Sequence, residues 1–374
     1  MTEFANRALL PAGLRDILPR QAAHEADVVT RLMASFSSQG FDRVKPPLIE
    51  FEESLLEDSG AAMAKHTFRV MDPVSQRMMG VRADMTPQVA RIATTRLANA
   101  PRPLRLSYAG QVLRVKGSQL RPERQFGQAG IELIGADSAA ADAEVVILAA
   151  KALVDLGVGE VCVDLTVPSL VLEVCSGLSD VEGLRDALDH KDVAAVAAVG
   201  GADAETLCAL VEAAGPADPA LIKLAAVTLL GRAAALRDRL AAVVDLVKRA
   251  VPELTLTIDP VEGRGFEYHT GVAFTIFARQ SAAELGRGGR YQAHGESAAG
   301  ATLFMDTVLD VLPGPIDPRR VFLPFGTAFA MGQTLREEGW VTVAGLEPVA
   351  DEKTEAGRMA CGHLLANGRV IAVS

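Results

Sequence analysis

Cysteine, aromatic side chains and positive charge are all scarce in this chain of 374 residues. Its four cysteines form no CxxC pair, which favours reduced thiols over a disulfide framework. Its six histidines show no HxxxH spacing, so the sequence predicts no metal site and we expect no cofactor. The net charge of −10 argues against a dedicated nucleic-acid-binding protein, because such a protein needs a positive field to meet phosphates.

Long apolar runs and targeting signals are missing as well. No run approaches the length of a membrane span, and Glu3, Arg7 and Pro11 precede any apolar stretch, so no signal peptide is expected. The chain has neither a GxxxxGK[ST] phosphate loop nor an evident Ser-His-Asp order. The expectation is a cytoplasmic globular protein of two or three domains, with ample core from its 49% apolar residues.

What the chain does have is a dense polar stretch, LRVKGSQLRPERQFGQAGIELIG at 113–135, between two apolar runs. Strand periodicity from Leu104 ends with Arg114 on the same face as Tyr108. After the loop, Gln128, Gly130 and Glu132 share one strand face, and the glycine leaves room for a small ligand. An antiparallel pair with one solvated face explains the same pattern, so both readings stay open.

Local signals define other elements. Residues 20–39 have the spacing of an amphipathic helix, and Thr86 is expected to be the N-cap of a helix whose first residue is Pro87. The GRGGR sequence at 286–290 is predicted to be a tight turn at a strand end, which is a better explanation than a phosphate site.

Composition also divides the chain. Residues 178–250 are rich in Ala, Leu and Asp with helical spacing, which indicates a helical insertion between two parts of a core at 1–177 and 251–315. Residues 316–374 alternate strand and helix patterns, which predicts a small C-terminal α/β unit.

Three carboxylates at predicted strand ends, Asp84, Glu132 and Glu267, are candidates for chemistry. They could act as general bases, but Arg114 and Arg264 are expected nearby and would neutralise them. We therefore favour ligand holding over catalysis and predict no catalytic residue.

A series of motifs carries a family resemblance. GFDRVKPPLIE at 40–50, LRV at 113–115, RQFGQAGIELIG at 124–135, GRGFEYHTG at 263–271 and GGRY at 288–291 occur in this order. Together they resemble class II aminoacyl-tRNA synthetases, and histidyl-tRNA synthetase in particular, from about residue 11 to about residue 312. The resemblance implies an α+β fold, with an antiparallel sheet flanked by helices. It also implies a homodimer formed through the apolar segment from Gly40 to Glu50.

The resemblance further implies a pocket for histidine. The matching positions are Asp84, Thr86, Arg114, Gln128, Glu132, Arg264, Tyr268, His269 and Tyr291. Asp84 replaces the family's glutamate, and His269 stands where the synthetase has a second tyrosine. We expect Arg264 to bind the ligand carboxylate, Asp84, Thr86 and Gln128 to accept from its ammonium group, and Glu132 to accept from a ring N–H. A closed ion network of Arg264 with the nearby carboxylates is the alternative.

At two positions of the expected ATP site, this sequence departs from the synthetase pattern. Lys116 stands where the synthetase has a glutamate that orients ATP, and Thr307 stands where it has an arginine for the phosphates. A hydroxyl cannot form the charge-assisted fork that arginine provides, so we expect adenylation to be lost. The residues after 318 have balanced charge and no basic face for tRNA.

The VRADMTPQVAR sequence at 81–91 is similar to that of a regulatory branch of this family, which acts with the short-form catalytic subunit of ATP phosphoribosyltransferase in the first step of histidine biosynthesis. The resemblance implies a non-catalytic regulatory subunit, a homodimer within a hetero-octamer, and histidine as a possible ligand, with no tRNA and no membrane. The alternatives are a divergent histidyl-tRNA synthetase or amino-acid-activating ligase, and a binding paralogue with another partner.

Overall fold

A computed structural model describes residues 9–117, 122–175, 181–263, 268–279 and 283–373, which fall into two compact units, Met1–Pro313 and Gly314–Ser374. None of the helices in these ranges is both long and apolar enough to cross a membrane.

The strands form three sheets, of nine, four and three strands. In chain order they are β1 (Asp42–Arg43), β2 (Ile49–Phe51), β3 (Phe68–Met71), β4 (Met78–Val81), β5 (Leu104–Leu113), β6 (Gln125–Ile134), β7 (Val161–Thr166), β8 (Gly215–Pro216), β9 (Thr255–Ile258), β10 (Ala273–Ala278), β11 (Glu284–Ala293), β12 (Glu296–Phe304), β13 (Arg320–Leu323), β14 (Val341–Ala344), β15 (His363–Ala366) and β16 (Arg369–Ala372).

The helices flank these sheets. They are α1 (Pro19–Ser38), α2 (Glu52–Leu55), α3 (Thr86–Thr94), α4 (Ala139–Leu156), α5 (Pro168–Val174), α6 (Val181–Asp189), α7 (Val193–Val199), α8 (Ala204–Glu212), α9 (Ala217–Ala226), α10 (Gly231–Ala250), α11 (Met305–Val311), α12 (Phe329–Glu337) and α13 (Glu352–Arg358), with 3-10 segments at Asp58–His66 and Gly201–Asp203.

The large sheet has the order β1-β5-β6-β12-β11-β10-β7-β9-β8, and its central pairs from β5 to β7 are all antiparallel. The two-residue period of a strand decides on which face of the sheet each side chain lies. On β6, Ala129, Ile131 and Leu133 pack into the main core with α1 and α4, whereas Gln128 and Glu132 face the other side. The α+β fold with an antiparallel sheet flanked by helices is therefore confirmed.

In chain order, helices α6 to α10 follow strand β7 and precede strand β9, both of which belong to the large sheet. The buried ion pairs of Asp142 on α4 tie this segment to the sheet: Arg239 Nε on α10 donates to Asp142 Oδ2 at 2.7 Å, and Arg290 Nε on β11 donates to Asp142 Oδ1 at 2.7 Å. The small unit is a four-stranded sheet, β14-β13-β15-β16, with α12 and α13.

Two local predictions were wrong. The GRGGR sequence lies inside strand β11 and is no turn, because its glycines allow close packing: a Cβ on Gly288 would lie 2.2 Å from the Gly300 carbonyl oxygen on β12 and 2.7 Å from the ring of Phe274. Helix α3 begins at Thr86 with Met85 as its N-cap, and the Thr86 hydroxyl lies 3.2 Å from that of Tyr108. The Thr86 N–H donates to Asp84 Oδ1 at 2.9 Å, so the carboxylate of Asp84 accepts from the first backbone N–H of the helix.

The segment from Gly40 to Glu50 is only partly exposed. Phe41 is buried in the main core and Val44 packs against a second core cluster, so neither contributes to an external apolar face. Leu48 and Ile49 are 51% and 39% exposed, and Met71 and Met78 of the three-stranded sheet are exposed as well.

Candidate functional site

A cavity of about 320 Å³ opens over the middle of the antiparallel strands, within the first unit. This is the lower end of the range for small-molecule pockets, roughly 300–1,000 Å³. Its lining residues are Ala62, Met63, Lys65, His66, Asp84, Thr86, Arg114, Glu132, Tyr268, His269, Arg287, Gly288, Gly289, Tyr291, Gly300, Thr302 and Phe304. The structure therefore brings together Asp84, Thr86, Arg114, Glu132, Tyr268, His269 and Tyr291 of the predicted site.

Glu132 lies at the floor of this cavity and is only 1% exposed. Tyr291 donates its hydroxyl to Glu132 Oε2 at 2.8 Å, and the Tyr108 hydroxyl donates to Oε1 at 3.2 Å. Tyr108 also lies 2.7 Å from the hydroxyl of Thr302 and 3.2 Å from that of Thr86. The carboxyl group thus accepts from two tyrosine hydroxyl groups, and the predicted alternative, an ion network with Arg264, involves a residue outside the described ranges.

Burial dominates the electrostatics of the floor. It raises the pKa of Glu132 to about 8, the negative charge of Asp84 adds to the rise, and hydrogen bonds from Tyr291 and Thr86 offset part of it. Burial, followed by the proximity of Glu132, also raises the pKa values of Tyr108 and Tyr291 well above their ordinary range. At neutral pH the floor is therefore mostly uncharged, with a carboxyl proton available to donate.

Asp84 is fixed by its neighbours at the start of α3. Besides the Thr86 N–H, it accepts from Gln128 Nε2 at 3.1 Å through Oδ2, while Gln128 Oε1 accepts from Met85 N at 3.1 Å. Both ends of the Gln128 amide are engaged within the protein, and Gln128 does not line the cavity. The structure thus places Gln128 in support of Asp84, and its predicted contact with a ligand ammonium group stays a prediction.

Glycine makes room for these buried groups. A Cβ on Gly300 of β12 would lie 1.8 Å from Glu132 Oε2, and one on Gly130 of β6 would lie 2.4 Å from the Tyr108 hydroxyl. The small residues at these positions thus allow a carboxyl group and a phenol to occupy the sheet surface.

The cavity rim carries basic residues that the sequence reasoning missed. Lys65 and His66 come from the 3-10 segment, which a hydrogen bond from Val115 N to His66 O at 2.9 Å ties to the chain just after Arg114. Arg287 on β11 forms an ion pair with Glu284 at 2.5 Å. No periodic pattern in the sequence links residues 62–66 to the sheet, whereas Tyr108 could have been found because it shares the strand face of Arg114.

Several predicted residues lie elsewhere. Arg264 and Glu267 are outside the described residues. Lys116 is exposed and is not a lining residue of the cavity. Thr307 on α11 donates its hydroxyl to Glu284 O at 2.7 Å and is likewise not part of the lining.

On the cavity wall that contains Arg114, the guanidinium group lies over an aromatic ring. The Arg114 guanidinium carbon lies 5.1 Å from the centroid of the Phe126 ring, and its Nε donates to Ala83 O at 3.3 Å. Phe304 packs edge-on against Phe126, with 6.1 Å between ring centroids. This wall therefore offers both a cation and apolar ring surfaces to the cavity.

Sequence comparison gives one family and a full-length relative. The family "Histidyl-tRNA synthetase" matches residues 13–308. A protein of Paramagnetospirillum magneticum, named ATP phosphoribosyltransferase regulatory subunit, is 62% identical over 378 residues, with 100% of both chains covered.

Structure comparison agrees on the fold. A Bacillus halodurans protein, described as an ATP phosphoribosyltransferase regulatory subunit/histidyl-tRNA synthetase, superimposes with a TM-score of 0.80 at 22% identity, over 94% of this chain and 96% of the other. Histidyl-tRNA synthetase from a Nostoc species gives a TM-score of 0.79 at 17% identity, over 96% and 91% of the two chains. At these identities the likeness concerns the fold alone.

Proposed function

Because this chain belongs to the family of ATP phosphoribosyltransferase regulatory subunits, which carry a histidyl-tRNA synthetase-like domain, we propose that it activates a short-form catalytic subunit of that enzyme and senses histidine. Family membership implies a role in histidine biosynthesis. The full-length identity of 62% is the observation that carries the proposal. The chain itself is proposed to be non-catalytic, without adenylation activity and without tRNA as a partner.

The cavity supports histidine as the ligand. Asp84 and the Thr86 hydroxyl can accept from the ammonium group, and Arg114, together with the predicted Arg264, can bind the carboxylate. Glu132 then meets the imidazole ring. Either protonation state of Glu132 serves, since a neutral carboxyl donates to a ring nitrogen and a carboxylate accepts from a ring N–H.

The two departures at the expected ATP site support loss of adenylation. Lys116 reverses the charge of the expected glutamate, and Thr307 uses its hydroxyl on the backbone at Glu284. Neither residue supplies the interaction with ATP that the resembling enzyme makes. ATP–pyrophosphate exchange in the presence of histidine tests this directly, and clear exchange would establish the synthetase or ligase alternative.

We also propose a homodimer within a larger complex with the catalytic subunit, a hetero-octamer by resemblance. The exposed apolar side chains at Leu48, Ile49, Met71 and Met78 support an interface on the three-stranded sheet.

The decisive experiment mixes the purified chain with a short-form ATP phosphoribosyltransferase. We expect co-elution, a rise in catalytic rate and inhibition by added histidine. Asp84→Asn should raise the histidine concentration for half-inhibition about tenfold while leaving activation intact, because a charged hydrogen bond is typically worth ~1.5–3 kcal/mol. Asp218→Asn, at an exposed residue of α9, is the matched control. If the two proteins do not co-elute and the catalytic rate does not rise, a binding paralogue with another partner becomes the better explanation.

A further inference from the structure

A single lysine of the helical segment reaches the end of the large sheet. Lys191 lies at the corner between α6 and α7, with a left-handed φ of 55°. Its Nζ lies 2.9 Å from Asp259 Oδ1 and 2.8 Å from Asp259 Oδ2. Asp259 follows β9 directly, and its N–H donates to Leu165 O on β7 at 2.9 Å. This ion pair therefore connects the helical corner to the end of two neighbouring strands.

Asp259 also begins the chain segment that leads to the cavity. Its Oδ1 accepts from Val261 N at 3.3 Å, and one residue later Glu262 O accepts from Thr166 Oγ1 at 2.8 Å. The described chain resumes with Tyr268 and His269, which line the cavity. The turn at 259–262 thus sets where this segment starts.

Negative charge is concentrated around the turn. Asp164 on β7 accepts from Thr257 Oγ1 at 2.5 Å, and burial raises its pKa, with Asp259 and Glu262 adding to the rise. The positive charge of Lys191 acts in the opposite direction. Removing the positive charge of Lys191 would therefore increase the net negative charge at the turn.

We infer that Lys191 is a positioning residue for the cavity: its ion pair with Asp259 fixes the turn at 259–262, a few residues before Tyr268 and His269, and so couples the helical segment α6–α10 to ligand binding. The inference rests on the proposed function in taking histidine as the ligand. It adds a residue outside the cavity, and on the helical segment, to those that control the affinity.

The test uses Lys191→Asn and Lys191→Arg in the full chain, with histidine binding measured by calorimetry. Asparagine tolerates the left-handed backbone, so Lys191→Asn removes the charge without new strain. We expect it to weaken histidine binding about three- to tenfold, which is typical of coupling through one contact, while Lys191→Arg stays close to the parent. Lys248→Gln is the matched control, because Lys248 also pairs with an aspartate, Asp218, but within the helical segment.

Two further readouts separate positioning from a general loss of stability. Hydrogen exchange at residues 259–270 should rise in Lys191→Asn, with protection of α10 unchanged. Asp164→Asn should restore part of the affinity in the Lys191→Asn background, because it removes a like charge. Unchanged exchange and unchanged affinity in Lys191→Asn would overturn the inference. If the parent binds no histidine, the proposed ligand is wrong, and the exchange measurement alone decides the role of Lys191.

Discussion

Replacing Glu132 with glutamine should change how stability depends on pH. The buried carboxyl has a pKa of about 8, against 4.5 as its ordinary value, so the folded chain holds a proton that the unfolded chain releases. A raised folded-state pKa means that the unfolding free energy falls as the pH rises from about 4.5 to about 8. Glutamine resembles the neutral carboxyl in shape and does not titrate, so Glu132→Gln removes this contribution.

The size of this change in unfolding free energy follows from the pKa shift of Glu132. One pKa unit corresponds to ~1.4 kcal/mol, so the rise to about 8 corresponds to on the order of 5 kcal/mol over the whole range. About half of this change falls between pH 6 and pH 8, where the parent should lose roughly 2–3 kcal/mol relative to the variant. Near pH 4.5 the two proteins should have similar stability, at pH 6 the variant should already be more stable by about 2 kcal/mol, and at pH 8 by roughly 4 kcal/mol.

Urea unfolding at pH 6, 7 and 8 without histidine measures the difference. Glu296→Gln is the control, because a hydrogen-bonded ion pair with Arg102 lowers the pKa of Glu296, so that its stabilising effect is already constant above pH 6. Parallel pH profiles for the parent and Glu132→Gln would refute the reasoning, since they would mean that Glu132 is already ionised in the folded chain.

Three other changes test the site and the interface. Gly300→Ala places a Cβ 1.8 Å from Glu132 Oε2, so it should cost ~1–3 kcal/mol of stability and most of the histidine affinity; a variant with parental melting temperature and affinity would contradict the packing argument. Arg264→Ala should weaken histidine binding about ten- to a hundredfold in calorimetry and reduce feedback inhibition while sparing activation; unchanged affinity would remove Arg264 from the pocket. Leu48→Glu should produce monomers in light scattering while Leu230→Glu, at a residue 81% exposed on the helical segment, should not; a persistent Leu48→Glu dimer would place the interface elsewhere.

Periodicity predicted the part of the site that lies on strands. Gln128 and Glu132 share a face of β6, as the two-residue period requires, and Arg114 follows the end of β5. These positions depend on local backbone geometry alone. The same reasoning could not distinguish Glu132, which lines the cavity, from Gln128, whose side-chain amide forms hydrogen bonds with Asp84 and Met85.

Features that depend on packing between distant segments were not predictable. The glycines of 286–290 suggested a turn, because their role against β12 and Phe274 appears only when the strands are assembled. The apolar segment from Gly40 to Glu50 was predicted to form an interface, yet tertiary packing buries its Phe41. Lys65 and His66 reach the cavity from a 3-10 segment that has no periodic signal of its own.

The ends of the large sheet limit unwanted strand addition. An edge strand offers unpaired N–H and C=O groups that can recruit a strand from another molecule, which is a route to fibres. Here one edge is β1, a two-residue strand whose Asp42 and Arg43 are charged and exposed, and the other is β8, where Pro216 has no N–H to donate. Among the described residues, the outermost strand on each side of this sheet is thus only two residues long, and neither strand supports the continuous hydrogen bonding that fibre growth requires.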